Sequence, residues 1–148
     1  MLASTDELKV TVTGQGGHAS TPHLCADPIL PMASMINSIQ TSVTREINAF
    51  DPALVTIAHV VAGTTTNVIP EKAFFEGTIR CVSENTRSQI KESVIRVCDQ
   101  IAKAHKCSAD VTITEGYPVT VNDANEAARF ALLCEKTIGE GSFFEFPS

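Results

Sequence analysis

The sequence predicts an α+β fold with elements in the order β-α-β-β-α-β. Three observations carry this reading. Four short stretches, 7–13, 53–62, 73–81 and 109–114, alternate or concentrate Val, Ile and Phe as strands do. Two longer stretches repeat apolar residues at helical spacing. Turn residues such as Gly, Pro, Asn and Asp punctuate the junctions.

In the first strand, Leu8, Val10 and Val12 share one face and Lys9, Thr11 and Thr13 the other. That is the pattern of a strand buried on one side. Asp27 is then a helix N-cap with Pro28 at the first helical position. Ile29, Met32, Ile36, Ile39, Val43 and Ile47 form one apolar stripe. Pro31 falls in the first turn, where a missing N–H costs little. Asn48 to Pro52 ends the helix, and 53–62 is the second strand. His59 alternates with Val55, Ile57 and Val61, which makes it a core or interface histidine. A loop, Gly63-Thr64-Thr65-Thr66-Asn67, leads through Val68-Ile69-Pro70 to the third strand. There Ala73, Phe75, Gly77 and Ile79 oppose Phe74, Glu76, Thr78 and Arg80. Ser83 and Glu84 open the second helix, whose stripe is Ile90, Val94, Val97 and Ile101. Lys103, His105 and Lys106 suit its negative C-terminal end. The order of elements predicts a ferredoxin-like split β-α-β unit, an antiparallel four-stranded sheet with both helices on one face. The opposite face is polar, with Lys9, Thr11, Glu76, Thr78 and Arg80.

After this unit, residues 1–116, the sequence changes character. Gly116-Tyr117-Pro118 breaks the last strand, and Asn122-Asp123 caps a further helix running to Ile138, ended by Gly139 and Gly141. The final residues hold Phe143, Phe144 and Phe146 close together. Residues 117–148 therefore look like a return segment, and the sequence like a piece of a longer chain.

The composition excludes several function classes. With 148 residues, 43% hydrophobic and 19% charged, the chain can bury a real core. A formal net charge of -6 argues against nucleic acid or an anionic membrane as partner. There is no apolar run long enough to span a membrane, and Met1-Leu2-Ala3-Ser4 is too short for a leader. The five cysteines, Cys25, Cys81, Cys98, Cys107 and Cys134, include no Cys-x-x-Cys pair. They suggest neither a disulfide framework nor a zinc knuckle, and point to a reducing, cytoplasmic setting.

Chemistry is concentrated in Gly14-Gln15-Gly16-Gly17-His18-Ala19-Ser20-Thr21-Pro22-His23. The glycines allow unusual backbone conformations and keep bulk away from an approaching group. A loop histidine is suited to chemistry near neutral pH. The same stretch can also be a turn that happens to hold His18. It is a poor dinucleotide loop, because Pro22 and Asp27-Pro28 delay the helix that would hold pyrophosphate. No Walker-type Gly-Lys-Ser or Gly-Lys-Thr occurs. Asn67 and Arg80 are further candidates, each with a plain alternative: Asn67 as a turn residue, Arg80 as a solvated strand end or surface ion pair. A metal site from His18, His23, Cys25 and Asp27 lacks any sign of supporting residues.

The glycine-histidine loop, Asp27-Pro28-Ile29, Gly63-Thr64-Thr65-Thr66-Asn67-Val68-Ile69-Pro70 and Gly77-Thr78-Ile79-Arg80 together resemble one family. They are similar, in order and spacing over residues 7–115, to the lid or dimerisation domain of the N-acyl-amino-acid amidohydrolases. That group of metallopeptidases includes hippurate hydrolases, indole-acetyl-amino-acid hydrolases and N-acetyl-diaminopimelate deacetylases, with aminoacylase and carboxypeptidase G as relatives. The resemblance implies a homodimer acting on a small N-acyl amino acid. It implies two divalent metal ions, zinc or alternatively manganese, held by a catalytic domain outside this sequence, and no metal in these residues. His18 would stabilise the scissile carbonyl, Asn67 would help hold substrate and Arg80 would grip its carboxylate. Two other readings stay open: a free-standing ferredoxin-like module that binds a small carboxylate, and a dimerisation module with no substrate contact.

Overall fold

The computed structural model describes residues 2–144. Its main sheet is built from β1 (Asp6–Thr13), β3 (Ala53–Ala62), β5 (Lys72–Cys81) and β6 (Ser108–Glu115). Between them lie a two-residue strand β2 (Gly17–His18), helix α1 (Ile29–Glu46), a two-residue strand β4 (Val68–Ile69) and helix α2 (Glu84–Ala104). Helix α3 (Ala124–Ile138) follows. The strand order is β3-β5-β1-β6, with every neighbouring pair antiparallel. This is the expected ferredoxin-like arrangement.

The period-two pattern decides which face is buried. Leu8, Val10 and Val12 of β1 pack with Ala73, Phe75, Ile79 and Cys81 of β5. Met32, Met35 and Ile39 of α1 and Ile90, Val94, Val97 and Cys98 of α2 cover them. The thiols of Cys81 and Cys98 are pushed up by burial, to about 11 and about 12, so they stay protonated and inert.

Helix ends follow their local sequence. The first helical residue of α1 is Ile29, one later than the sequence suggested, and Asp27 Oδ1 accepts the Ile29 N–H at 2.8 Å. Ser83 caps α2, its Oγ accepting the Thr86 N–H at 3.2 Å. At the other end Lys106 takes φ 60°, and Cys107 N donates to Ala102 O at 2.9 Å. Asp123 caps α3 by accepting the N–H groups of Asn125 and Glu126. Phe130, Leu132, Leu133 and Ile138 of α3 are exposed. Part of the aromatic tail read from the sequence, residues 145–148, lies outside the described residues.

One expectation is corrected. His59 is not in the core. A bulge between Ile57 and His59 shifts the register of β3, so that His59 faces Glu76 on the open side of the sheet. The simple alternation failed because one extra residue, Ala58, flips the parity of everything after it.

Candidate functional site

The glycine-histidine loop is sewn between two backbone segments. Gln15 and Ala26 exchange hydrogen bonds at 2.8 and 3.0 Å, and Gly14 N donates to Glu71 O at 2.9 Å. Gly17 then pairs with Ile69 and His18 with Val68, forming the β2–β4 ladder. A Cβ on Gly14 would stand 2.0 Å from Ala26 O, and one on Gly16 would stand 2.8 Å from Ile69 O. Neither Gly14, Gly16 nor Gly17 has a positive φ. The missing side chains of Gly14 and Gly16 therefore serve close approach of backbones, and that of Gly17 leaves room for the Cys25 thiol; the expectation of unusual backbone conformations is corrected.

This sewing fixes His18. Its main chain lies against β4, its carbonyl accepts the Thr21 N–H at 3.0 Å and the Thr21 hydroxyl at 3.2 Å, and its ring is exposed. Nδ1 is engaged by Ser20, with its N–H at 3.1 Å and its hydroxyl at 2.7 Å. Nε2 makes no hydrogen bond among the described residues.

Asn67 is brought beside His18 by the same ladder. It directly precedes β4, and its carbonyl accepts the Ala19 N–H at 3.0 Å. Its Oδ1 accepts the Thr65 hydroxyl at 3.1 Å. That leaves the Nδ2 amide free to donate to a ligand. His18 and Asn67 thus form an exposed pair of potential donors on one rim of the domain.

Arg80 is elsewhere. It sits opposite Leu54 at the far end of β5, roughly 25 Å along the strand from Lys72 at about 3.3 Å per residue. Among the described residues it makes no ion pair. A single chain therefore does not bring Arg80 to the His18–Asn67 rim.

The middle of the open sheet face carries a tight polar group. Glu76 accepts from Lys9 Nζ and bonds His59 Nδ1, both at 2.8 Å, and these contacts hold its carboxyl below the usual range. Phe74 packs edge-on to His59 and lies under the Lys9 ammonium. A second group joins the two ends of the domain. Fully buried Asp6 is gripped by Arg87, and Asp6 Oδ1 also accepts the Gly116 N–H at 3.3 Å. Glu84, paired with Arg87, accepts the Val119 N–H at 3.1 Å. Sequence reasoning passed over Asp6 and Arg87. The signal was present: Asp6 is in phase with Leu8, Val10 and Val12, and Arg87 with Ile90 and Val94. Charges at core positions are paired when buried.

No group of three or more His, Cys, Asp or Glu residues among the described residues could hold a metal ion. His18, His23, Cys25 and Asp27 form no such group. No helix among the described residues is long and apolar enough to cross a membrane.

Comparison with known proteins places the domain. Residues 4–106 match the family model described as the peptidase dimerisation domain. The chain is 33% identical over 139 residues to an N-acetyldiaminopimelate deacetylase of Geobacillus sp. (strain WCH70), covering 94% of this chain and 37% of that protein. It is 36% identical over 123 residues to an N-acetyl-L-cysteine deacetylase of Bacillus subtilis (strain 168), covering 83% of this chain and 30% of that protein. A crystal structure of a dinuclear metal binding peptidase of the M20 family from Bacillus subtilis superposes with a TM-score of 0.67 at 28% identity. That superposition covers 88% of this chain and 33% of the peptidase. The chain thus spans about a third of the length of these relatives. With more than half of its residues matched, the chain belongs to the family of M20 peptidase dimerisation domains.

Proposed function

We propose that this chain is the lid and dimerisation part of a metal-dependent amidohydrolase that cleaves the amide of N-acyl amino acids. The observation that carries the reading is the exposed His18–Asn67 rim, where the β2–β4 ladder brings an imidazole and a carboxamide onto adjoining segments. Two such donors suit a carbonyl oxygen that gains negative charge. The deacetylase activities named for two relatives fit an amide substrate. Residues 1–116 form the lid, and 117–148 return toward a catalytic portion that holds two divalent ions, zinc or manganese. Bound there, such ions would activate water for attack on the amide.

A homodimer explains why Arg80 stands apart. β3 is an edge strand of ten residues with no charged residue and no proline, and Leu54, Val60 and Val61 are exposed on it. Such an edge is a template for another strand. The other edge, β6, carries Asp110 and Glu115. Two-fold antiparallel pairing through β3 reverses one sheet relative to the other. It carries Arg80 of one chain toward the end of the sheet where His18 and Asn67 of the partner subunit lie. A guanidinium there binds the substrate carboxylate with two parallel hydrogen bonds.

The reading is tested by joining this domain to the catalytic portion of its parent enzyme and assaying a panel of N-acyl amino acids, hippurate among them. Chelator-sensitive release of the amino acid, restored by zinc or manganese, supports it. No turnover by the folded, metal-loaded enzyme on any member would turn attention to the Lys9–Glu76–His59 face as a ligand site.

A further inference from the structure

The contacts of Ser20 settle the state of the His18 ring. A backbone amide can only donate a hydrogen bond. The Ser20 N–H points at His18 Nδ1 from 3.1 Å, so Nδ1 is the acceptor. The neutral ring then carries its hydrogen on Nε2. The opposite tautomer would set an Nδ1–H against the amide N–H, two donors facing each other. The Ser20 hydroxyl, 2.7 Å from the same nitrogen, must likewise donate.

We propose that Ser20 is a positioning residue that locks neutral His18 in the tautomer with Nε2–H turned outward as a hydrogen-bond donor. Three successive residues cooperate in this. Ala19 N donates to Asn67 O at 3.0 Å and ties the loop to β4. Ser20 turns both its donors onto the ring. Thr21 closes the turn on the His18 carbonyl with its N–H and hydroxyl. Ring position, ring rotation and ring tautomer are therefore set by one four-residue turn.

The catalytic consequence rests on the amidohydrolase reading. An acyl oxygen that accumulates negative charge needs a donor in place before the reaction. A ring with a bare Nε2 would present a lone pair to that oxygen and repel it. By fixing the hydrogen on Nε2, Ser20 presents the donor without reorganisation.

Nuclear magnetic resonance of the nitrogen-15-labelled 148-residue chain tests the lock without any enzyme assay. The His18 ring is expected to show a protonated Nε2 and a bare Nδ1, and the Ser20 amide resonance to move when His18 is replaced by alanine, because the replacement removes its acceptor. A His18 ring carrying its hydrogen on Nδ1, or a Ser20 amide indifferent to the ring, would overturn the proposal. Ser20→Ala keeps the amide donor and loses the hydroxyl. In the parent enzyme it is expected to lower kcat roughly three- to tenfold, the range for one hydrogen bond, with KM little changed and Ser20→Thr restoring the rate. An unchanged kcat in Ser20→Ala would overturn the role of the hydroxyl. If the ring signature is present but the parent shows no amidohydrolase activity, the functional reading fails and the tautomer assignment stands.

Discussion

Arg87 donates from Nε and Nη2 to the two carboxylate oxygens of Asp6, at 2.9 and 2.6 Å, and both side chains are buried. The pair lies where the chain enters and leaves the domain. Thr5 N donates to Tyr117 O at 3.1 Å, Gly116 N donates to Thr5 O at 2.9 Å, and Leu2 bridges to Thr120. Lys91 reaches both Asp6 and Glu115, and Glu84 ties Val119 to the same cluster. The two flanking segments therefore leave side by side from a rigid polar anchor.

Removing one partner of this pair strands a buried charge. Arg87→Ala should cost about 3–5 kcal/mol of stability, the range for breaking a buried ion pair. Urea unfolding of the chain measures it. A loss within the ~0.5 kcal/mol usual for surface changes would contradict the anchor.

Acid should weaken the same anchor. The Arg87 hydrogen bonds hold the Asp6 carboxyl below its ordinary value, opposed by burial and helped by Lys91. Glu46, Asp51, Glu76 and Glu84 are lowered as well, each by its hydrogen-bond partners. A depressed carboxylate contributes fully above its unfolded pKa, about 4, and that contribution fades as pH falls through the folded value. The melting temperature should be flat with respect to these groups near neutrality and fall steadily below about pH 4. In Asp6→Asn the acid fall should be shallower.

The end of α2 offers a gain. Lys106 holds φ 60° within a Schellman-type cap, where Cys107 N donates to Ala102 O and Lys106 N to Lys103 O. A side chain in this region is strained. Lys106→Gly should stabilise the chain by roughly 1 kcal/mol, less the entropy glycine adds to the unfolded state. Thermal melts decide it; a destabilised variant would mean the lysine side chain contributes more than its backbone costs.

How much of this was legible beforehand varies by residue. Alternation in β1 and β5 and the stripes of α1 and α2 revealed the layers, because side-chain period alone determines which face meets the core. The bulge after Ile57 was hidden, since one inserted residue leaves no compositional mark and reverses the side of His59. The β2–β4 ladder was also invisible. Two-residue strands have no periodicity, and only tertiary pairing shows that His18 and Asn67 are neighbours. The role of Ser20 follows from a single amide direction, which no spacing rule encodes.

The free edge of β3 predicts an association that one charge can block. Val60→Lys places an ammonium on an exposed edge position, a device that discourages strand pairing. Sedimentation should show a dimer for the unmodified protein and a monomer for the variant, with unchanged circular dichroism. A dimer that survives both Val60→Lys and Leu54→Lys would move the interface away from β3.

The proposed active site draws His18 and Arg80 from different subunits, and mixing two damaged enzymes tests this arrangement. His18→Ala in the parent enzyme should lower kcat about 10²–10³-fold, as loss of a donor to a developing oxyanion does. Arg80→Ala should mainly raise KM for substrates with a free carboxylate. The two variants are unfolded together, refolded as mixed dimers and assayed at low substrate. If the residues come from opposite subunits, each mixed dimer holds one intact site, and activity should recover to about a quarter of the unmodified level for random two-fold pairing. No recovery above the separate variants, with mixed dimers present, would place both residues in sites supplied by one chain and contradict the account.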